Sequence, residues 1–119
     1  MASNIMDPVI IRGLQSTGQV WIGDKELLPD RSIKLRNHSP TGFAWGYGGS
    51  GPSQLALAIM LELTDNVGLA LDLYCDFKWA FVSRWEGDFC CTVQGVNTWL
   101  IERQLGPLGF VKFNEEDMM

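Results

Sequence analysis

Residues 36–54 read Arg36-Asn-His-Ser-Pro-Thr-Gly-Phe-Ala-Trp-Gly-Tyr-Gly-Gly-Ser-Gly-Pro-Ser-Gln54 and open onto Leu55-Ala-Leu-Ala-Ile-Met-Leu61, a run too apolar to continue as a surface loop. A glycine-rich loop therefore empties into the start of a buried helix. Its glycines, Gly42, Gly46, Gly48, Gly49 and Gly51, allow positive φ and close approach to the backbone. The first amides of the following helix lack intrahelical partners and sit at the positive end of its dipole, so such a loop can cradle an anion. We place the helix start at Pro52, with Gly51 as cap and Gln54 at the third helical position.

Working outward, Asp65 is placed to cap a second helix, in which Val67, Leu71, Tyr74, Phe77 or Lys78, and Phe81 share one face. The spacing predicts two helices, 52–64 and 65–82, forming a hairpin. Upstream, Val9–Arg12 and Val20–Ile22 are β-branched or aromatic runs separated by turn residues, and a hairpin is expected. Lys25–Leu28 adds a further extended piece. Ser32–Arg36 alternates as a half-buried strand would, with Ile33 and Leu35 inward and Lys34 and Arg36 on the outer face. Downstream, Phe89–Cys91 reads as extended, Thr92 caps a third helix carrying Val93, Val96, Trp99, Leu100 and Ile101, and Gly106-Pro107 stops it. The fold class is α+β: an N-terminal antiparallel sheet packed on a helical hairpin plus a third, C-terminal helix. One domain over 1–119 is expected, with 108–119 as a flexible acidic tail carrying the apolar patch Phe110–Phe113.

The chain has 119 residues and a net charge of −5. That balance disfavours duplex nucleic acid, whose affinity comes from Lys and Arg neutralising phosphates. Three of the acids, Glu115, Glu116 and Asp117, lie in the last five residues, so part of the acidity is a solvated end. Cys75, Cys90 and Cys91 are odd in number and lack metal-ligand spacing, which reads as reduced core thiols with no disulfide framework, metal site or cofactor. No basic leader precedes an apolar stretch, and no run approaches the roughly 20 apolar residues that span a bilayer. A cytoplasmic protein without membrane contact is expected.

The stretch Leu35–Ile59, with Leu73-Tyr-Cys-Asp-Phe-Lys-Trp79 and the final Trp99-Leu100 helix, resembles the small bacterial and phage proteins grouped as domain of unknown function 6166. The resemblance runs over about residues 20–105. It implies a small stand-alone domain, often carried by phages and mobile elements, with no agreed enzymatic role.

Gly46-Tyr-Gly-Gly-Ser-Gly51 has the letters of G-x-G-x-x-G, but a dinucleotide site needs parallel strands on both sides, and antiparallel hairpins precede it here. Read as a P-loop, it carries proline where the lysine belongs, which removes the basis for nucleotide hydrolysis. Two readings of the loop stand: a compact element packed by Phe43, Trp45 and Tyr47, or a ligand cradle in which Trp45 and Tyr47 stack a planar group. The ligand reading recruits Arg36, Asn37 and His38 as upstream donors, the backbone of Gly48, Gly49, Ser50 and Gly51, the Ser53 hydroxyl, and Lys78 from the second helix. No base is positioned by sequence beside a serine or cysteine, and the acids lie on turns and outer helix faces, so catalytic residues are not indicated. The expected function is non-enzymatic binding of a small anionic, nucleotide-like molecule, with homo-oligomerisation as one way to complete the site. The alternative is an inhibitor or adaptor, of the phage anti-defence kind that includes anti-CRISPR proteins, docking a host protein through an acidic, aromatic-bearing surface.

Overall fold

The β-branched run after Pro8 becomes strand β1 (Ile10–Leu14), paired antiparallel with β2 (Gln19–Ile22) in the register Ile11↔Ile22, Arg12↔Trp21 and Gly13↔Val20. Alternation places Ile11 and Val20 wholly inside, while the Arg12 guanidinium lies 4.2 Å over the Trp21 ring on the other face. Strand β3 (Lys25–Leu27) adds antiparallel to β2, and β4 (Phe89–Thr92) is the other neighbour of β1, giving the order β3-β2-β1-β4. This computed structural model describes residues 8–105. It divides into two compact units, Ile10–Cys90 and the segments on either side of it.

Ser32–Arg36 is not a strand. Asp30–Leu35 forms a short helix, α1, begun by Pro29, whose carbonyl accepts the Ile33 N–H (2.9 Å) and the Ser32 hydroxyl (2.9 Å). These local bonds satisfy groups that a strand would need a neighbour to satisfy. Ser32 is consequently the fully buried residue of this segment, with Ile33 and Leu35 only half-buried. Lys34 and Arg36 do not share a strand face: Arg36 follows the last helical residue in extended conformation.

Helix α2 (Ser50–Thr64) starts two residues before Pro52, with Gly49 as its cap, and Gly51 to Leu61 are buried throughout. A helix apolar on every side has to be enclosed. Asp65 does not cap the next helix. It closes α2 in the left-handed region (φ +48), and Asn66 caps α3 (Val67–Ala80) by accepting the Leu69 N–H at 2.9 Å. The two helices pack on each other as a hairpin, and Ala70, Tyr74 and Phe77 are the buried stripe of α3.

A 3₁₀ turn (Val82–Arg84) follows, and an aromatic row runs from there into β4. Phe77 stacks on Phe81 (4.9 Å between centroids), Trp85 meets Phe77 edge-on (6.4 Å), Trp85 stacks on Phe89 (3.9 Å), and Trp45 meets Phe89 edge-on (4.8 Å). The architecture is α+β.

In the second unit, the Thr92 hydroxyl accepts the Gly95 N–H (3.0 Å) and so caps α4 (Val93–Leu105). The carbonyl of Val9 accepts the Val93 N–H (2.8 Å), and the Val9 N–H donates to Gln94 Oε1 (3.2 Å). Val96 and Leu100, one turn apart, are its buried positions. The expected stop at Gly106-Pro107 and the acidic tail over 108–119 lie outside the described residues. No helix among the described residues is long and apolar enough to cross a membrane.

Candidate functional site

Gln54 is a polar side chain in the middle of the buried stretch of α2, and it is wholly enclosed. Its Oε1 accepts the His38 N–H (2.7 Å) and the Ser39 N–H (2.9 Å); its Nε2 donates to Ser32 Oγ (2.8 Å) and to the Arg36 carbonyl (3.1 Å). Both lone pairs and both protons of the amide are used. One side chain thus fastens the segment from Arg36 to Ser39 against the first turns of α2. At the third helical position, where the sequence alone places it, Gln54 would have been a capping group; the start at Ser50 makes it an interior staple instead.

That staple holds the His38 ring beside α3, where Nε2 lies 2.9 Å from the Tyr74 hydroxyl. One helical turn after Tyr74, the Lys78 ammonium donates to the Ser53 hydroxyl at 3.2 Å, and Ser53 is the chain neighbour of Gln54. His38 is thus tied to Tyr74 and Lys78 to Ser53, and Ser53 adjoins Gln54, whose amide holds the His38 backbone. Burial, then the charges of Arg36 and Lys78, hold the His38 imidazole below its ordinary range. Burial and the neighbouring Cys75 thiol raise the Tyr74 hydroxyl, which Arg36 partly offsets. At neutral pH the ring is neutral and the phenol keeps its proton, so the cluster sets two buried hydroxyls, those of Tyr74 and Ser53, beside the charges of Arg36 and Lys78. The ion pairs Lys25–Glu62 and Arg31–Asp65 involve neither Arg36 nor Lys78.

His38 also carries a stability consequence. Because its folded pKa is lowered, the unfolded imidazole takes up a proton first, so the His38 contribution to stability is present above the ordinary imidazole range and is lost as pH falls through it.

The glycine loop is built both as a packed element and as a rim for this cluster. At Gly51 a Cβ would lie 2.7 Å from Ala44 Cβ, so the loop rests directly on the first turn of α2. Trp45 is core: it is 8% exposed, and its Nε1–H donates to the Gly87 carbonyl at 2.7 Å. It therefore cannot stack a ligand, contrary to one of the two sequence readings of the loop. Tyr47 is 54% exposed, with its ring against Gly49 and its hydroxyl close to Gly51. Ser50, the first residue of α2, and Asn37 are exposed; no side chain caps α2 at Gly49.

Of the residues singled out by sequence, the structure brings together Arg36, His38, Ser53 and Lys78, with Gly48 and Gly49 beside them, and sends Trp45 elsewhere. Sequence reasoning missed Gln54 as a staple, Tyr74 and Trp79. A lone amide in an apolar helix and the Tyr74–Lys78 spacing were the available signals. The strands before Gly46 are antiparallel, which removes the dinucleotide-fold reading of the loop. Cys75 and Cys90 are exposed and Cys91 half-buried, so the thiols are not core residues as the sequence suggested, and none of the three forms a disulfide. Among the described residues, no group of three or more His, Cys, Asp or Glu side chains is placed to hold a metal ion.

No curated protein and no solved structure matches the chain. Residues 11–102 match the model of a family of unknown function, DUF6166. That match spans most of the chain, and with the glycine loop and the two helices that frame it on the page, the chain belongs to that family.

Proposed function

We propose that the protein is a non-enzymatic binding protein that holds a small anionic, nucleotide-like ligand at Arg36, His38, Ser53 and Lys78. The observation that carries this reading is the convergence of Arg36, Lys78 and a neutral His38 with the hydroxyls of Tyr74 and Ser53, on a chain whose net charge is −5. Opposite charges and hydroxyl donors are what an anionic oxygen needs in order to exchange its water shell for protein. The uncapped amino end of α2 adds positive potential from the same side. In this reading the ligand is held and not turned over. A domain of this kind acts by sequestering or sensing its ligand.

Calorimetry with inorganic phosphate, nucleotides, cyclic nucleotides and ADP-ribose-like compounds tests the reading. Arg36 is exposed, so Arg36→Ala is expected to weaken binding by about 1.5–3 kcal/mol while leaving the melting temperature nearly unchanged. If no anion binds the wild type and Arg36→Ala chiefly lowers the melting temperature, the cluster is a folding device, and docking of a protein partner becomes the better account.

Binding is also expected to be pH-dependent. An anion beside His38 offsets the two cations that depress its pKa, so the complex takes up a proton that the free protein does not hold. Affinity should rise as pH falls through the ordinary imidazole range and level off only below it, once free His38, with its lowered pKa, is itself protonated. Proton uptake measured in buffers of different ionisation enthalpy gives the sign directly. A flat profile with binding intact would remove His38 from the site.

A further inference from the structure

Five tryptophans punctuate the chain, and all lie within the described residues. Trp45 is buried, Trp21, Trp85 and Trp99 are half-buried, and Trp79 alone is exposed, at 56%. It follows Lys78 on α3, and the Lys78 ammonium that reaches Ser53 also stands 4.6 Å from the centre of the Trp79 ring. The exposed indole and the cation cluster therefore share a side chain.

Gly48 explains how the indole is seated. A Cβ there would lie 2.7 Å from Trp79 Cζ3 and would overlap Cη2, so the six-membered ring occupies the space a side chain would fill. Tyr47, also exposed, lies against the next glycine, Gly49. A ribbon of two small residues thus carries two solvent-facing aromatic rings at the rim of the proposed anion site. Large exposed rings cost hydration free energy, and a planar ligand group would recover it.

We infer that Trp79 is the specificity-determining residue of the site: it receives the base of a mononucleotide whose phosphate lies at Arg36, His38 and Lys78, and Gly48 is glycine in order to seat the indole. The inference rests on the anion-binding reading above. It commits to a free mononucleotide, because a chain of net charge −5 offers no extended basic track for the repeated phosphates of a polymer.

The test measures the affinity of the full chain for adenosine 5′-monophosphate and for inorganic phosphate, by calorimetry and by quenching of tryptophan fluorescence. Wild type is expected to bind the nucleotide about tenfold or more tightly than phosphate, the scale of one base stacked on an aromatic ring. Trp79→Ala should lose the preference for the nucleotide over phosphate, whatever its affinity for phosphate itself. Gly48→Ala, which keeps the ring but forces it from its seat, should show the same loss. If phosphate binds but the nucleotide binds no more tightly, or if Trp79→Ala keeps the preference, Trp79 is not the reader of the ligand and the anion site stands without it. If neither phosphate nor nucleotide binds the folded wild type, both the inference and the reading beneath it fall.

Discussion

Replacement of Gln54 with leucine is expected to lower stability by about 2–4 kcal/mol, because the leucine fills the space but leaves several polar groups without their partner. The Ser39 N–H loses its bond to Oε1, and the Arg36 carbonyl loses the Nε2 donor. The His38 N–H keeps a second, poorer contact at 3.2 Å to the Arg36 carbonyl, and Ser32 keeps its bond to the Pro29 carbonyl, so those two losses are partial. Ser39 and His38 are half-buried, which lets water recover some of the cost. For a domain of this size the corresponding fall in melting temperature is roughly 10–20 °C. A second consequence separates this account from ordinary core damage. The His38 ring is aimed by its backbone, so below the melting transition Gln54→Leu should also bind phosphate less tightly than wild type. A variant that melts within about 3 °C of wild type would show that the Arg36–Ser39 segment is held by something other than this amide.

The same residue marks the boundary of what the sequence discloses. The run Leu55–Leu61 is legible as a buried helix because seven consecutive apolar residues admit few alternatives, and the turn at Thr64–Asn66 is legible from its polar break. What cannot be read there is register: a start at Ser50 instead of Pro52 moves Gln54 from the capping turn to the interior and changes its job. Ser32–Arg36 fails for a related reason. Ile33 and Leu35 are spaced by two, which fits a strand, but so short a segment cannot separate a period of 2.0 from one of 3.6, and the bonds made by Pro29 and Ser32 settle the matter locally. Arg36, His38, Ser53 and Lys78 are recognisable as donors one by one. Their meeting depends on the α2–α3 hairpin and on the amide staple, neither of which has a local signature. Trp45 and Tyr47 lie two residues apart in the same loop with opposite fates, and nothing in the intervening Gly46 indicates which ring turns inward.

Trp45→Ala is expected to be as costly as any single truncation in the first unit, about 3–5 kcal/mol. The indole is almost fully buried, its edge meets Phe89 at an interplanar angle of 81°, and Phe89 is in turn stacked on Trp85 at 9°. Removing the ring opens a cavity at one end of the aromatic row that continues through Trp85 to Phe77, and it strands the Gly87 carbonyl that accepts the Nε1–H. Trp45→Phe restores much of the volume but not that bond, so it should cost less, about 1–3 kcal/mol. Tyr47→Ala supplies the contrast, because an exposed ring away from the core should alter stability by no more than about 0.5 kcal/mol. Thermal and urea melts of the three variants rank them directly. Phosphate affinity, measured where each is folded, assigns the roles: Trp45→Phe should bind as wild type does, since the indole belongs to the scaffold beneath the loop and not to the face presented to a ligand. Were Trp45→Phe to melt like wild type yet lose phosphate binding, the ring would have to reach the ligand in a conformation other than this one, with the loop lifted from the first turn of α2.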